Sequence, residues 1–215
     1  MKGLAPKTLS VFNKICLLDC IKPYTLVGGT ALSLQIANRL SEDLDFMSWK
    51  LSKDEKREVD WPEIKKQLES IGTVEKIDIL DFSHVEFIVD GVKISFYANP
   101  NYSPVQIRIP IKENVYAADK VAIGAMKMEV LMRRSQFRDY YDIYSLLEDN
   151  VSLKEMMEKA LKYSGHRLKT KNLIAMLTRS DRFEKESSFE MLNPRYDISP
   201  IDIEQKIQNE LKQQI

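Results

Sequence analysis

The chain has 215 residues, 44% of them hydrophobic, which is enough for one large domain or two small ones with a packed core either way. Its 32 Lys and Arg balance 32 Asp and Glu, which excludes an overall field drawing it to nucleic acid or an anionic membrane; any RNA contact has to come from local patches. The opening MKGLAPKTLSVFNKICLLDC lacks the uninterrupted apolar run of a signal peptide, and no stretch is long enough to cross a bilayer, so a cytoplasmic protein without membrane contact is expected.

A first helix is predicted over about Lys7 to Leu18, broken by Lys22-Pro23. Cys16 and Cys20, the only cysteines, are one helical turn apart with no histidine nearby; they read as half-buried thiols on that helix, with neither a zinc site nor a disulfide framework. Tyr24 to Val27 reads as a strand, Gly28-Gly29 as a tight turn, Thr30 as a helix N-cap and Ala31 to Leu40 as the helix. Asp43-Leu44-Asp45-Phe46-Met47 alternates acid with apolar, the period of a half-buried strand, which puts both acids on one face. Trp49 to Asp60 is charge-rich and reads as loop or exposed helix, and Pro62 to Ser70 as a helix opened by proline. Strands are predicted over Val74 to Leu80, Val85 to Val89 and Val92 to Tyr97, with Asp90-Gly91 as a two-residue hairpin turn, and a further strand over Gln106 to Ile111. From Asn114 the composition turns helical. Helices are expected over Ala118 to Arg134 and Arg138 to Leu147, a third opened by the capping box at Ser152 to Glu155 and closed at Gly165, a fourth over Thr170 to Arg179, and a last after Ser199-Pro200.

Transfer of a nucleotidyl group needs divalent ions to polarise the α-phosphate and neutralise the leaving pyrophosphate, and magnesium takes carboxylate oxygens held in a stiff frame. Asp43 and Asp45, at i and i+2 of one strand, would project in parallel and supply such a frame, although two acids on the solvent face of an edge strand give the same pattern. Gly28-Gly29-Thr30, between strand and helix, lets backbone amides approach an anion at the positive end of a helix; it is not a Walker or Rossmann fingerprint, and glycines there also simply make turns.

GGTALSLQIANRLSEDLDF resembles the GG-[ST]-A-L…R-x-S-x-D-x-D-F signature of the nucleotidyltransferase family that includes the AbiEii/AbiGii abortive-infection toxins. The resemblance covers roughly residues 24 to 147. It implies an α+β nucleotidyltransferase fold, a mixed sheet flanked by helices, over residues 1–115, and a helical domain over 116–215 contributing Lys127 and Asp139 to the cleft. It further implies that Gly28, Gly29 and Thr30 hold the NTP phosphates, that Asp43 and Asp45 bind two Mg²⁺ ions, and that Arg39 and Ser41 brace the acids or touch phosphate. AIGAMKMEVLMRRSQFRDYYDIYSLL resembles the family's later segment, which casts Lys127 as the lysine that contacts triphosphate, Asp139 as a catalytic acid, and Asp142 as the group orienting Lys127 or Arg138. A lysine among Met126, Met128 and Val130 either has an anionic partner or snorkels to solvent. Arg133, Arg134 and Arg138 form a basic cluster suited to RNA phosphates. One departure stands out: family members often carry a third acid on the hairpin strand, where this chain has Ser95 within VKISFY, so activation rests on Asp43, Asp45 and metal, or on a neighbouring acid such as Asp78, or is weakened.

The implied activity is Mg²⁺-dependent transfer of NMP from an NTP to a hydroxyl of RNA, tRNA-like, or protein, by the toxin of a toxin–antitoxin or phage-defence pair with a cognate antitoxin encoded nearby. Two other readings are a non-transferring nucleotide-binding or interaction module, motivated by Ser95, and an antibiotic-modifying transferase on the same scaffold. His84 and His166 lack partners at ligand spacing and read as structural or exposed, and Tyr140, Tyr141 and Tyr144 at helical spacing suit a core or a base-stacking surface.

Overall fold

The computed structural model describes residues 2–52, 57–165 and 167–213, so the reading of His166 and the middle of the Trp49 to Asp60 segment fall outside the described residues. Two compact units divide the chain, Met1–Ala118 and Asp119–Ile215.

The first unit opens with α1, Pro6–Ile15, where proline sits at the start because its missing N–H would have had no helical acceptor. The helix buries Val11, Phe12 and Ile15 and stops short of the cysteines, so these lie beyond it rather than on its face. Burial pushes both thiols up to about 12, and neither is a thiolate near neutral pH. Strand β1, Thr25–Val27, runs directly into α2, Gly28–Ile36. The expected N-cap at Thr30 does not form: Gly28, at φ +71°, makes the turn and already belongs to the helix, while the Thr30 hydroxyl is committed to another loop. Helix α2 also ends four residues early, at Ala37 in the left-handed region.

Strand β2 is Leu44–Trp49, and α3, Trp61–Glu69, follows with Asp60 accepting from the Glu63 N–H at its start. Strands β3 (Val74–Asp81), β4 (His84–Val89) and β5 (Val92–Asn99) form a meander. Asp90 and Gly91 both have positive φ, as the two-residue turn between β4 and β5 requires. After β6, Arg108–Lys112, comes a strand the sequence reading assigned to helix: β7, Val115–Ala118. Its four residues are mostly buried because β7 lies beside β1 in parallel, and so short an apolar run carries no period of its own.

The seven strands form one mixed sheet in the order β3-β4-β5-β2-β1-β7-β6. One face is apolar. Leu44 and Phe46 of β2, Ile94 and Phe96 of β5, and Val85 and Phe87 of β4 are buried there, with Phe96 in ring contact with Phe46, Phe87 and Tyr24. Helix α1 contacts β5 and α3 contacts β3. The register places the alternate residues of these strands, Asp45 and Met47, Ser95 and Tyr97, His84 and Glu86, on the opposite face.

The second unit is helical: α4 Lys120–Val130, α5 Phe137–Glu148, α6 Leu153–Tyr163, α7 Thr170–Leu177 and α8 Pro200–Gln213. Asp119 caps α4, and the box expected at Ser152 caps α6, its hydroxyl accepting from the Glu155 N–H. Gly124 lets α6 close on α4, since a Cβ there would run into the Met156 side chain. Tyr140 and Tyr141 are fully buried; Tyr140 stacks on Phe183 at 3.7 Å and Tyr141 meets Phe189 edge-on, so both are core. Among the described residues, no helix is long and apolar enough to cross a membrane.

Candidate active site

Two neighbouring strands bring the first cluster together. Val27, the last residue of β1, pairs with Asp45 of β2, so the glycine turn that follows Val27 lies beside that carboxylate. The approach is close: a Cβ built on Gly28 would stand 3.0 Å from Asp45 Oδ2. At Gly29 a Cβ would collide with the Arg39 guanidinium, which is 6% exposed and also donates to the Leu40 carbonyl. Both glycines thus open space that a side chain would fill, one toward a carboxylate and one toward a cation, at the first turn of α2, where the backbone N–H groups have no helical acceptors.

The segment between α2 and β2 is held from both sides. The Thr30 hydroxyl donates to the Asp43 carbonyl and bonds the Ser41 hydroxyl at 2.7 Å. Ser41 N–H donates to Gly3 O, Ala5 N–H donates to Ser41 O, and the Thr8 hydroxyl donates to Glu42 O. Thr30 and Ser41 therefore brace the acids through the backbone, and both are buried. Asp43 and Asp45 are each half-buried; β2 starts one residue later than the alternation suggested, so Asp43 lies just before it and Asp45 is its second residue.

Among the described residues, no group of three or more His, Cys, Asp or Glu side chains is placed to hold a metal ion. Magnesium is commonly held by one or two carboxylates with phosphate and water oxygens completing its shell, and a pair of aspartates beside an anion-accepting turn fits that donor set. An acid at 95 would have joined them, because Ser95 pairs directly with Asp45 in the parallel β2–β5 ladder. Besides Asp45, the acid nearest Ser95 in the register is Glu86 of β4, directly opposite it; Asp78 comes one strand further out, paired with Glu86 and bonded to Lys76 at 2.7 Å. Glu86 is a residue the sequence reading passed over, and the Asp90-Gly91 turn held the signal: a two-residue hairpin loop makes 86 face 95.

Replacing Gly28 by alanine tests how tightly the turn is built. The left-handed φ costs a residue with a Cβ about 1–2 kcal/mol, and the new methyl also presses on Asp45. Gly28→Ala should lower the melting temperature modestly and transfer activity far more; full activity in the variant would show that the turn does not shape the site.

The second unit holds its own charged cluster. Lys127 of α4, only 7% exposed, places Nζ 2.9 Å from Asp139 and 2.7 Å from Asp142, two carboxylates of α5 that are completely buried. Arg134 donates to Asp139 through Nε at 2.8 Å and Nη2 at 3.1 Å. Lys127 thus has anionic partners and does not snorkel, and Asp142 serves Lys127; Arg138 Nε donates to Gln136. Each arginine of the cluster expected to meet RNA phosphates also has a partner within the protein, Arg133 on Glu129, Arg134 on Asp139 and Arg138 on Gln136.

Burial alone would raise the Asp139 carboxyl, but Lys127 and Arg134 outweigh it and hold it below its ordinary value of 3.8. A lowered native pKa adds stability above the unfolded value, and that stability drains as pH falls through the native one. The stability gap between wild type and Asp139→Asn should therefore be constant above about pH 6 and close as pH drops below about 3.9. Thermal melts across that range measure it, and a gap that widens toward low pH would contradict the assignment.

A glycine turn that opens a helix beside the carboxylate of Asp45 on the neighbouring strand suits the handling of a nucleoside triphosphate, and the chain is a nucleotidyltransferase. Residues 19–209 match the model of the nucleotidyl transferase AbiEii toxin, type IV toxin–antitoxin system, and the chain belongs to that family. It is 26% identical over 166 residues to the uncharacterized protein aq_aa25 of Aquifex aeolicus (strain VF5), covering 75% of this chain and 76% of that protein. The fold is similar to that of the nucleotidyltransferase toxin MenT4 (Rv2826c) of Mycobacterium tuberculosis H37Rv, with TM-score 0.59 and 12% identity over 96% of this chain and 84% of the other. JHP933 from Helicobacter pylori is similar too, with TM-score 0.57 and 19% identity over 98% and 94% of the two chains.

Proposed function

We propose that this toxin transfers a nucleoside monophosphate from an NTP to a hydroxyl of RNA or protein, in a Mg²⁺-dependent reaction at Asp43 and Asp45. The observation that carries the proposal is the approach of the Gly28 turn to the Asp45 carboxylate, which sets an anion-accepting helix start against a metal-binding pair. In the transfer, the acceptor oxygen bonds to the α-phosphorus as that phosphorus breaks from the oxygen bridging it to the β-phosphate. Pyrophosphate leaves, and the hydroxyl proton passes to water. Bound Mg²⁺, two ions on this proposal, would polarise the α-phosphate and offset the charge of the leaving group. The first-turn amides of α2 would hold phosphate oxygens; Arg39, packed on Gly29, adds positive charge, and Thr30 and Ser41 fix the backbone that carries Asp43.

Roles for Lys127, Asp139 and Asp142 in handling the triphosphate belong to the same proposal, supported by the family match and by the closed ion cluster that fixes Lys127 Nζ. The type IV family also motivates a cognate antitoxin, a cytoplasmic setting and a place in phage defence for this chain. The test is incubation of the purified protein with each α-labelled NTP, total RNA and cell extract, with and without Mg²⁺. Label should appear in RNA or protein only with the metal; NTP binding by calorimetry without incorporation under any condition would favour the non-transferring module that Ser95 motivates.

A further inference from the structure

The sheet face that carries Asp45 is laid out in rows by the strand register. Asp45, Ser95 and Glu86 stand side by side on β2, β5 and β4; two residues further along, Met47, Tyr97 and His84 do the same. The His84 and Tyr97 rings are stacked, 4.1 Å between centroids and 28° between planes, and both residues are half-buried. Lys93 lies on the same face, 3.5 Å from Glu86, which also meets His84 Nε2 at 3.2 Å. Just past the ends of β2 and β5, the Lys50 ammonium sits 5.0 Å from the ring of Tyr102, which is 58% exposed. Within the strip, Ser95 is fully buried and its hydroxyl has no hydrogen-bond partner among the described residues.

Stacked, partly exposed rings interleaved with lysines on a sheet face are a poor match for a protein segment, which would take a pocket or an edge strand. They suit single-stranded RNA, whose bases stack on aromatic rings while cations follow its phosphates. A buried hydroxyl left without a partner is costly unless a ligand supplies one, and a ribose hydroxyl offers both a donor and an acceptor. We propose that this strip binds the 3′ end of a single-stranded RNA acceptor, with its terminal bases on the His84–Tyr97 pair, its phosphates toward Lys93 and Lys50, and Ser95 Oγ bonded to a terminal ribose hydroxyl. The site rests on the transferase reading for its place beside Asp45, whereas RNA binding itself is measured without catalysis.

Fluorescence anisotropy with a labelled single-stranded RNA of about ten nucleotides, within the site sizes seen for such surfaces, tests the inference on the full chain. Tyr97→Ala should weaken binding about 10-fold or more, Tyr97→Phe by less than about twofold, and His84→Ala by an intermediate factor, with NTP affinity by calorimetry unchanged in all three. Ser95→Ala should erase a preference for this RNA over DNA of the same sequence. Should Tyr97→Ala fail to fold, His84→Ala and Tyr97→Phe carry the comparison. The proposal is overturned by a wild type that does not bind the RNA, by Tyr97→Ala and His84→Ala binding it as tightly as wild type, or by label reaching protein and never RNA, an outcome that leaves the transferase reading intact. A wild type that binds RNA through these residues yet never incorporates label supports the strip and sinks the transferase reading.

Discussion

Asp45→Asn should abolish growth arrest on expression and cut label transfer about 10³-fold while leaving the fold intact. The size follows from what the carboxylate contributes: a metal ion at the reacting phosphate is worth several kcal/mol of transition-state stabilisation, and each 1.36 kcal/mol is a factor of about ten. Asn keeps the shape of the side chain and removes the charge that a cation would share with Asp43. A second readout is independent of turnover: wild type should melt higher with Mg²⁺ and NTP present, by about 2.7 kcal/mol at a hundred times Kd, and the variant should lose the Mg²⁺-dependent part of that gain. A variant as toxic as wild type would remove the enzymatic explanation of toxicity.

The local parts of the site were legible because each rests on short-range chemistry. Alternation at Leu44, Asp45, Phe46 and Met47 made β2 a strand, which starts just after Asp43 and so fixes the face of Asp45 alone, and Gly28-Gly29 marked the turn. Asp90-Gly91 fixed the β4–β5 register so firmly that the pairs Glu86 with Ser95 and His84 with Tyr97 follow from counting outward from the turn. What failed to show depends on partners distant in sequence. The parallel pairings of β2 with β5 and of β1 with β7 leave no local trace, which is why Val115–Ala118 passed for the start of a helix. Thr30 was misread for a related reason: a threonine at a helix start suits a cap, and only the loop of Ser41 to Asp43, folded back over it, claims its hydroxyl instead. In the second unit, the spacing of Asp139 and Asp142 put both on one face of α5, but their burial and the reach of Lys127 from α4 are packing facts beyond any helical period.

Lys127→Ala should be the most destabilising single change in the second unit. It strands two completely buried carboxylates, and breaking a buried pair by removing one partner costs about 3–5 kcal/mol, a large share of the 5–15 kcal/mol that holds a whole domain together. Arg134 would still meet Asp139. That makes a rescue specific. Lys127→Met with Asp142→Asn, which replaces the ammonium by an apolar side chain of similar length and neutralises one acid, should recover much of the loss, whereas Lys127→Met with Asp139→Asn should recover less, because it takes the Asp139 carboxylate from Arg134. Chemical denaturation of wild type, each double variant and its two single variants measures the coupling, expected at about 1–3 kcal/mol for residues in direct contact. The rescued variant also separates the two demands on the lysine. If Lys127 serves only the fold, restoring stability restores NTP affinity and transfer; if its charge also faces the triphosphate, the rescued protein melts like wild type and still binds NTP at least tenfold more weakly.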